Sequence, residues 1–126
     1  DVTVQVLTQS RADLIGRSFD SLAGARTAIV HLYNAVSPAW RKIVFGMTMD
    51  EIKGIAIDGA KLLRDNAARL PGTDWRFEYS PETFSTAELD FSLEVCSAVM
   101  DVLQPTAERP IIFNLPATVE AATPNI

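Results

Sequence analysis

The 126-residue chain is long enough for one domain with a hydrophobic core, and its 48% hydrophobic and 21% charged residues are typical of a soluble globular protein. A net charge of −5 without a basic patch argues against nucleic-acid binding, and no apolar run reaches the roughly 18 residues of a membrane helix. One cysteine and one histidine exclude a disulfide framework or a conventional zinc site built from these residues alone, and we expect a reducing, cytoplasmic setting.

Four short runs rich in β-branched and aromatic residues predict strands, each with turn residues nearby. In chain order they are VTVQVL (2–7), TAIVHLY (27–33), WRFEYS (75–80) and PIIFNL (110–115). Because helix-type sequence separates each run from the next, the order predicts parallel strands joined by right-handed crossovers.

Three helices are predicted between these strands from their capping and stop signals. Ser10 can cap the first helix, which runs to about residue 23 and ends at Gly24. The second opens with the capping-box spacing of TMDE (48–51) and ends at LPG (70–72), and the third opens with STAE (85–88) and ends at Pro105.

Both ends of this pattern are abrupt. The chain enters its first strand without a lead-in, and a fourth helix is predicted to begin in TVEAATP (118–124) just before the last residue. A complete flavodoxin-like domain is one possible fold. A run of about four consecutive βα units from a larger (β/α)₈ TIM barrel explains both ends, and we therefore expect an α/β fold in which residues 1–126 form a partial TIM barrel with parallel strands.

Polar side chains gather on one face of the predicted strands, toward their carboxyl ends. Alternation along each strand places together Gln5, Leu7 and Gln9, then His31 and Tyr33, then Arg76, Glu78, Ser80 and Glu82, and finally Asn114, Pro116 and Thr118. In barrels and open α/β sheets, the carboxyl edge is where binding and catalysis are built. The pattern predicts a functional site at this edge.

Each candidate also has a purely structural interpretation. A lone histidine at a strand end is commonly a hydrogen-bonded core residue, Glu82 fits a solvated loop acid, and Thr118 fits a helix cap. Three other unusual residues, Cys96, Trp40 and Trp75, are expected to pack against apolar neighbours.

Four longer stretches resemble the long form of the 2-isopropylmalate synthase family. They are VQVLTQSRADLI, AIVHLYNAVSPAWRKIVF, TDWRFEYSPETFSTAELDF and RPIIFNLPATVEAATPN. The resemblance covers almost the whole chain and is most specific in WRFEYSPE and IIFNLPATVE. This family belongs to the metal-dependent, Claisen-type barrel enzymes that include homocitrate and citramalate synthases. By the resemblance, the four strands correspond to barrel strands three to six, and the flanking strands and the C-terminal regulatory domain are absent.

The resemblance implies an acyltransferase that condenses acetyl-CoA with 2-ketoisovalerate to give 2-isopropylmalate and CoA in leucine biosynthesis. It also implies a divalent metal ion, Mg, Mn or Zn, that polarises the keto acid carbonyl and whose protein ligands lie outside this chain. We expect a homodimer or another homo-oligomer, with no nucleic-acid or membrane partner.

Carried over residue by residue, the resemblance implies catalytic roles for two side chains. His31 would donate a hydrogen bond to the keto acid oxygen, and Glu82 would take part in proton transfer. Substrate-binding roles are implied for Ser80, Thr118, Leu7, Tyr33 and Asn114. Among these, Thr118 would hold the keto acid carboxylate while capping the following helix, and the last three would shape the pocket for the isopropyl group.

Alternatives to this interpretation remain open. The isolated chain, which lacks the family's metal ligands, is expected to have weak or no condensing activity. It could instead be a non-catalytic α/β fragment that self-associates through exposed sheet edges. A related Claisen-type enzyme that takes pyruvate or 2-ketoglutarate, a citramalate or homocitrate synthase, is the third possibility. The segment HLYNAVSPAW differs from the short form of the family, which favours the long form.

Overall fold

The computed structural model describes residues 2–123 and contains one parallel four-stranded sheet. The strands are β1 (Val4–Gln9), β2 (Thr27–Ala35), β3 (Asp74–Glu82) and β4 (Ile111–Phe113), and the helices are α1 (Ala12–Ser21), α2 (Met49–Arg69) and α3 (Leu89–Leu103). A short π-helical segment, Trp40–Phe45, precedes α2, and a 3₁₀ turn, Phe84–Thr86, precedes α3. The predicted α/β class with parallel strands and alternating helices is therefore confirmed.

The strand order distinguishes the two folds that the sequence left open. The strands pair in chain order, β1-β2-β3-β4, and each crossover helix packs on the same side of the sheet. A flavodoxin-like sheet reverses its strand order at a switch point and carries helices on both faces. Sequential order with helices on one side is the geometry of consecutive βα units in a barrel.

The hydrophobic core lies between the three helices and the sheet. Ala28, Val30 and Leu32 of β2 point into it and are fully buried. The helices contribute a larger set of buried apolar side chains, namely Ile15, Phe19, Ile52, Ala56, Ala60, Leu63, Phe91, Val95 and Val99. Gly59 lets α2 approach the sheet, because a Cβ atom there would lie 3.0 Å from Leu32 Cδ2 and 2.2 Å from Ser10 Oγ.

Two residues expected to pack do so. The Trp75 ring lies 4.6 Å from that of Phe19, centroid to centroid, and its indole N–H donates to Leu70 O at 2.7 Å. Cys96 packs against the core, and burial raises the pKa of its thiol to about 11, which keeps it protonated at neutral pH.

The helix starts were predicted with mixed success. Thr48 and Glu51 form the predicted capping box of α2. The second predicted capping box is wrong, because α3 begins at Leu89 and Glu88 occupies the cap position, its carboxylate bound to Arg41 instead. The Ser10 hydroxyl does not cap α1 but donates to Ile55 O at 2.7 Å. Gly24 adopts the expected left-handed conformation, with φ of 87°.

The helix predicted to begin in residues 118–124 does not form within the described residues. Residues 114–123 lack helical structure, and Thr118 lies in a bend. The side chains of Thr118, Val119 and Glu120 are exposed, so no apolar face is buried to offset the cost of nucleating so short a helix. Pro124, the last residue of the predicted segment, lies outside the described residues.

Within residues 2–123, none of the helices combines the length and the apolar character required to cross a bilayer.

A buried polar pair in the core gives a first testable prediction. The Tyr79 hydroxyl donates to Asn34 Oδ1 at 2.9 Å, and Asn34 Nδ2 is buried without a partner among the described residues. We expect Tyr79→Phe to lower the free energy of unfolding by about 1–3 kcal/mol, since it leaves the second polar atom of the amide unpaired.

A double-mutant cycle measured by urea unfolding tests this prediction. Tyr79→Phe combined with Asn34→Val removes both partners, so we expect the double variant to lose clearly less stability than the sum of the single variants. Additive losses would contradict the prediction, because they would mean that the two groups do not depend on each other.

Candidate functional site

A connected group of polar side chains lies on the sheet face that points away from the helices. Its members come from all four strand regions and are Gln5, His31, Glu78, Ser80 and Asn114. The register brings them together, because Leu7 pairs with His31, His31 with Glu78, and Tyr33 with Ser80. The predicted polar face is therefore confirmed as a feature of the sheet.

His31 is joined to the two strands that follow it in the sheet. Its Nε2 lies 2.6 Å from Ser80 Oγ, and Ser80 Oγ also accepts a hydrogen bond from Asn114 Nδ2 at 2.8 Å. Ser80 is only 3% exposed. Three residues predicted for the site thus form one hydrogen-bonded chain across β2, β3 and the end of β4.

The other imidazole nitrogen faces a carboxylate and an amide. His31 Nδ1 lies 3.5 Å from Glu78 Oε1 and 3.4 Å from Gln5 Nε2, and Gln5 Nε2 donates to Glu78 Oε2 at 2.9 Å. Gln5 and Glu78 were placed on this face by strand alternation but were not predicted as site residues. The available signal was that Glu78 lies two residues before Ser80 and therefore on the same face of the strand. Its register with the single histidine is given by the structure.

Burial lowers the pKa of His31 below its ordinary value of 6.5, and the nearby Glu78 carboxylate opposes this effect in part. The imidazole is therefore neutral at neutral pH. Since the unfolded chain binds this proton more readily, the folded state loses stability as the pH falls below about 6.5. A neutral imidazole has one N–H donor and one acceptor nitrogen.

A cavity of about 370 Å³ opens at the carboxyl edge of the strands, and its lining does not include the five residues of this group. Its wall includes Tyr33 from β2 and Glu82 from β3, with Trp40 and Phe45 of the π-helical segment opposite. Trp40 packs against Phe45 with ring centroids 5.8 Å apart, but it is 40% exposed and lines the cavity, so the packing role predicted for it is met only in part. Two predicted site residues, Tyr33 and Glu82, thus share a cavity wall.

The backbone around Glu82 is fixed by the neighbouring loop. Val36 N–H donates to Glu82 O at 3.0 Å, and Ser37 N–H donates to Thr83 Oγ1 at 3.1 Å. Thr83 is buried and has a φ of 61°, a left-handed conformation that β-branched residues rarely adopt. This turn ends β3 immediately after Glu82, so the chain changes direction at the cavity.

An ion pair between a buried arginine and an exposed glutamate joins the two loops that follow β2 and β3, namely residues 36–48 and 83–88. Arg41 is 5% exposed, donates to both carboxylate oxygens of Glu88 at 2.9 and 2.7 Å, and donates to Val36 O at 2.6 Å. Its guanidinium lies over the ring of Phe91 and holds the pKa of Glu88 below its ordinary value. We call Arg41, Glu88 and Val36 the loop clamp.

Two predicted site residues lie apart from these contacts. Leu7 lies on the polar face beside His31 and is 60% exposed. Thr118 lies in an exposed bend, and its hydroxyl makes no hydrogen bond with the described residues. The structure therefore brings together His31, Ser80 and Asn114, and separately Tyr33 and Glu82, but it does not bring Thr118 to either group by a direct contact.

In the described part of the chain, no three histidine, cysteine, aspartate or glutamate side chains come close enough to hold a metal ion. The carboxylate and imidazole that do meet, Glu78 and His31, already contact Gln5 and Ser80. These residues alone do not fit a metal centre.

Comparison with known proteins gives one family over the whole chain. The family model described as HMGL-like matches residues 1–126. The chain is 62% and 61% identical over 126 residues to proteins named 2-isopropylmalate synthase from Pseudomonas fluorescens strains Pf0-1 and SBW25, and 60% identical to one from Pseudomonas putida strain W619. Each match includes the whole of this chain but only 22%, 22% and 23% of the three relatives, respectively. The chain therefore spans less than a quarter of the length of these relatives.

Proposed function

Because the chain belongs to the HMGL-like family, we propose that it forms the central part of the catalytic barrel of a 2-isopropylmalate synthase. The observation that carries this proposal is the 62% sequence identity to the Pf0-1 protein across all 126 residues of the chain. The sequential parallel sheet with helices on one side supports four consecutive βα units, which we assign to barrel strands three to six. The flanking strands and a C-terminal regulatory domain would lie in the rest of the longer protein.

The proposed reaction joins acetyl-CoA to 2-ketoisovalerate. A proton leaves the methyl group of the thioester, the resulting carbanion forms a carbon–carbon bond with the keto carbon, and the keto oxygen gains a proton. Water then adds to the thioester carbonyl and the CoA thiol leaves, which gives 2-isopropylmalate. The divalent cation that the family resemblance implies, Mg²⁺, Mn²⁺ or Zn²⁺, would be held by ligands outside these residues.

We assign the keto acid to the polar face around His31. Here His31, Ser80 and Asn114 supply adjacent donors and acceptors for its oxygens, and they are supported in this role by their mutual contacts at 2.6 and 2.8 Å. Leu7 and Tyr33 flank them on the same face and would contact the isopropyl group. Thr118 would bind the carboxylate. In the structure Thr118 lies in an exposed bend without a direct contact to these residues.

Glu82 is the proposed proton-transfer residue. It lines the 370 Å³ cavity at the carboxyl edge, beside Tyr33. Its backbone is held by Val36 N–H, so its position at the end of β3 is fixed. A carboxylate so placed can accept a proton from the acetyl methyl group.

We also propose a cytoplasmic homo-oligomer, and we expect no turnover by the 126 residues alone. The sheet face that carries the site has no helix over it among the described residues, and Leu7 and Ile112 on that face are exposed. This arrangement supports the second interpretation, self-association of an inactive chain, for the isolated polypeptide.

A segment exchange tests the proposed function. The 126 matching residues of the Pseudomonas fluorescens Pf0-1 protein are replaced by this chain, and the product is called the segment-exchange enzyme. We expect metal-dependent release of CoA thiol with 2-ketoisovalerate, at a rate within about tenfold of the unmodified host. The isolated chain serves as the inactive control.

Keto acid preference in the same assay separates the related synthases. A preference of the segment-exchange enzyme for pyruvate or 2-ketoglutarate over 2-ketoisovalerate would assign the chain to a citramalate or homocitrate synthase instead. A correctly folded product that releases no CoA with any of the three keto acids would overturn the assignment of this chain to the catalytic barrel.

A further inference from the structure

The contacts around His31 restrict where its proton can lie. The imidazole has Ser80 Oγ at 2.6 Å from Nε2, and the Glu78 carboxylate and Gln5 amide on the side of Nδ1. Two arrangements satisfy a neutral ring: a proton on Nδ1 with Ser80 donating to Nε2, or a proton on Nε2 that is donated to Ser80.

The number of hydrogen bonds that Ser80 Oγ donates and accepts distinguishes the two arrangements. Ser80 Oγ already accepts a hydrogen bond from Asn114 Nδ2 at 2.8 Å. If Nε2 carried the proton, Ser80 would accept twice and its own hydroxyl proton would have no acceptor among the contacts of this residue. If Nδ1 carries the proton, the Ser80 hydroxyl donates to Nε2 and accepts from Asn114 Nδ2, so both its proton and its oxygen have partners. Buried polar groups in folded proteins are almost always paired in this way.

The carboxylate on the other side of the ring favours the same arrangement. Glu78 Oε2 accepts from the Gln5 amide at 2.9 Å, which leaves Oε1, 3.5 Å from His31 Nδ1, available to the ring. An anionic carboxylate attracts an N–H and repels a nitrogen lone pair. Gln5 Nε2 also lies 3.4 Å from Nδ1, where its second N–H would donate to an unprotonated nitrogen, so this one contact favours the other tautomer. The full charge of Glu78 and the donor count at Ser80 outweigh it.

We propose that Glu78, oriented by Gln5, is a positioning residue that keeps the proton of neutral His31 on Nδ1 and so directs the Ser80 hydroxyl toward Nε2. This inference rests on the proposed function in treating His31 and Ser80 as the residues that meet the keto acid. When His31 gains a second proton, Nε2–H donates to Ser80 and the Ser80 hydroxyl is released to donate to a substrate oxygen.

The electrostatic environment of His31 is simple enough for this role. Glu78 from β3 is the ionisable group in contact with the ring, while Gln5 from β1 and Asn114 after β4 are neutral. Arg76 lies two residues before Glu78 on the same face and is paired with Asp74 at 3.0 Å. Tyr33 lies two residues after His31 on that face. A change at Glu78 therefore acts on His31 directly.

The single histidine makes the proposal measurable by ¹⁵N NMR of the histidine-labelled 126-residue chain. We expect the spectrum above pH 7.5 to show the Nδ1–H tautomer, although free histidine favours Nε2–H. In Glu78→Met, which has no acceptor for Nδ1–H, the Nε2–H tautomer should predominate. Glu108→Met, an exposed carboxylate between α3 and β4, is the matched control and should keep the wild-type tautomer.

A second variant separates charge from hydrogen bonding. Glu78→Gln keeps a neutral acceptor, so it should retain much of the Nδ1–H tautomer while the pKa of His31 falls below the wild-type value, because the attraction of the carboxylate is lost. Glu108→Gln should leave that pKa unchanged. Wild-type chain in the Nε2–H form, or a Glu78→Met variant with the wild-type tautomer, would overturn the proposal.

These outcomes are independent of catalysis. The tautomer is read from the chain without substrate, so an inactive segment-exchange enzyme would overturn the proposed function and leave the NMR result intact. Conversely, an active enzyme whose His31 carries its proton on Nε2 would overturn only the role of Glu78.

Discussion

Glu82→Gln is expected to lower kcat for CoA release by the segment-exchange enzyme by about 10²–10⁴-fold, the usual range for loss of a general base. Glutamine has the same size but cannot accept a proton. Glu82 lines the cavity at the carboxyl edge, and its main chain is held by Val36 N–H, so the substitution changes the chemistry of the side chain rather than its position. The KM for 2-ketoisovalerate should change little, because the keto acid is assigned to the neighbouring polar face.

Steady-state kinetics with a matched control measure this effect. Glu108→Gln removes the same charge from an exposed carboxylate in the turn before β4 and should leave kcat within about twofold of the parent. A Glu82→Gln enzyme that keeps more than about a tenth of the parent kcat would exclude Glu82 as the base. A large rise in KM with unchanged kcat would instead indicate a binding role.

Phe19→Ala is expected to lower the free energy of unfolding of the 126-residue chain by about 3–5 kcal/mol, the usual cost of emptying a buried aromatic site. Phe19 on α1 is fully buried and packs against Trp75 of β3 in a tilted arrangement with ring centroids 4.6 Å apart. The variant therefore creates a cavity between the first helix and the sheet. Because the free energy of unfolding of a domain of this size is only about 5–15 kcal/mol, the expected loss is a large fraction of the total.

Urea unfolding followed by tryptophan fluorescence measures this loss at a fixed protein concentration, since self-association would contribute to the apparent stability. Leu93→Ala is the control, because Leu93 lies on α3 with its side chain 68% exposed and should cost less than about 1 kcal/mol. Equal losses in the two variants would mean that the core does not depend on the contact between α1 and β3.

The fold could be predicted from local patterns because each element carries its own signal. Alternation along the strands identified the polar face, and the βα order identified parallel pairing. The failures occurred where tertiary contacts compete with local preference. Glu88 has the spacing of a capping-box residue, yet its carboxylate binds the distant Arg41 guanidinium. Residues 118–123 have the composition of a helix start but bury no apolar face.

The candidate site was predictable only in part, for a similar reason. Alternation shows which residues share a face, whereas contacts depend on the register between strands that are far apart in sequence. Gln5 and Glu78 meet around His31 although 73 residues separate them. The roles assigned to His31, Glu82 and Thr118 came from the family resemblance, and they stay predictions.

The loop clamp has a consequence for how this surface can be altered. Arg41 belongs to the loop after β2, whereas Glu88 belongs to the loop after β3, and the same guanidinium also binds Val36 O beside the turn that follows Glu82. Replacing one loop alone would leave Arg41 or Glu88 without its charged partner and would disturb the main chain at the cavity. In protein engineering, and in natural recombination, the two loops would therefore have to be exchanged together. A change of specificity at this edge would require replacement of both loops from the same source.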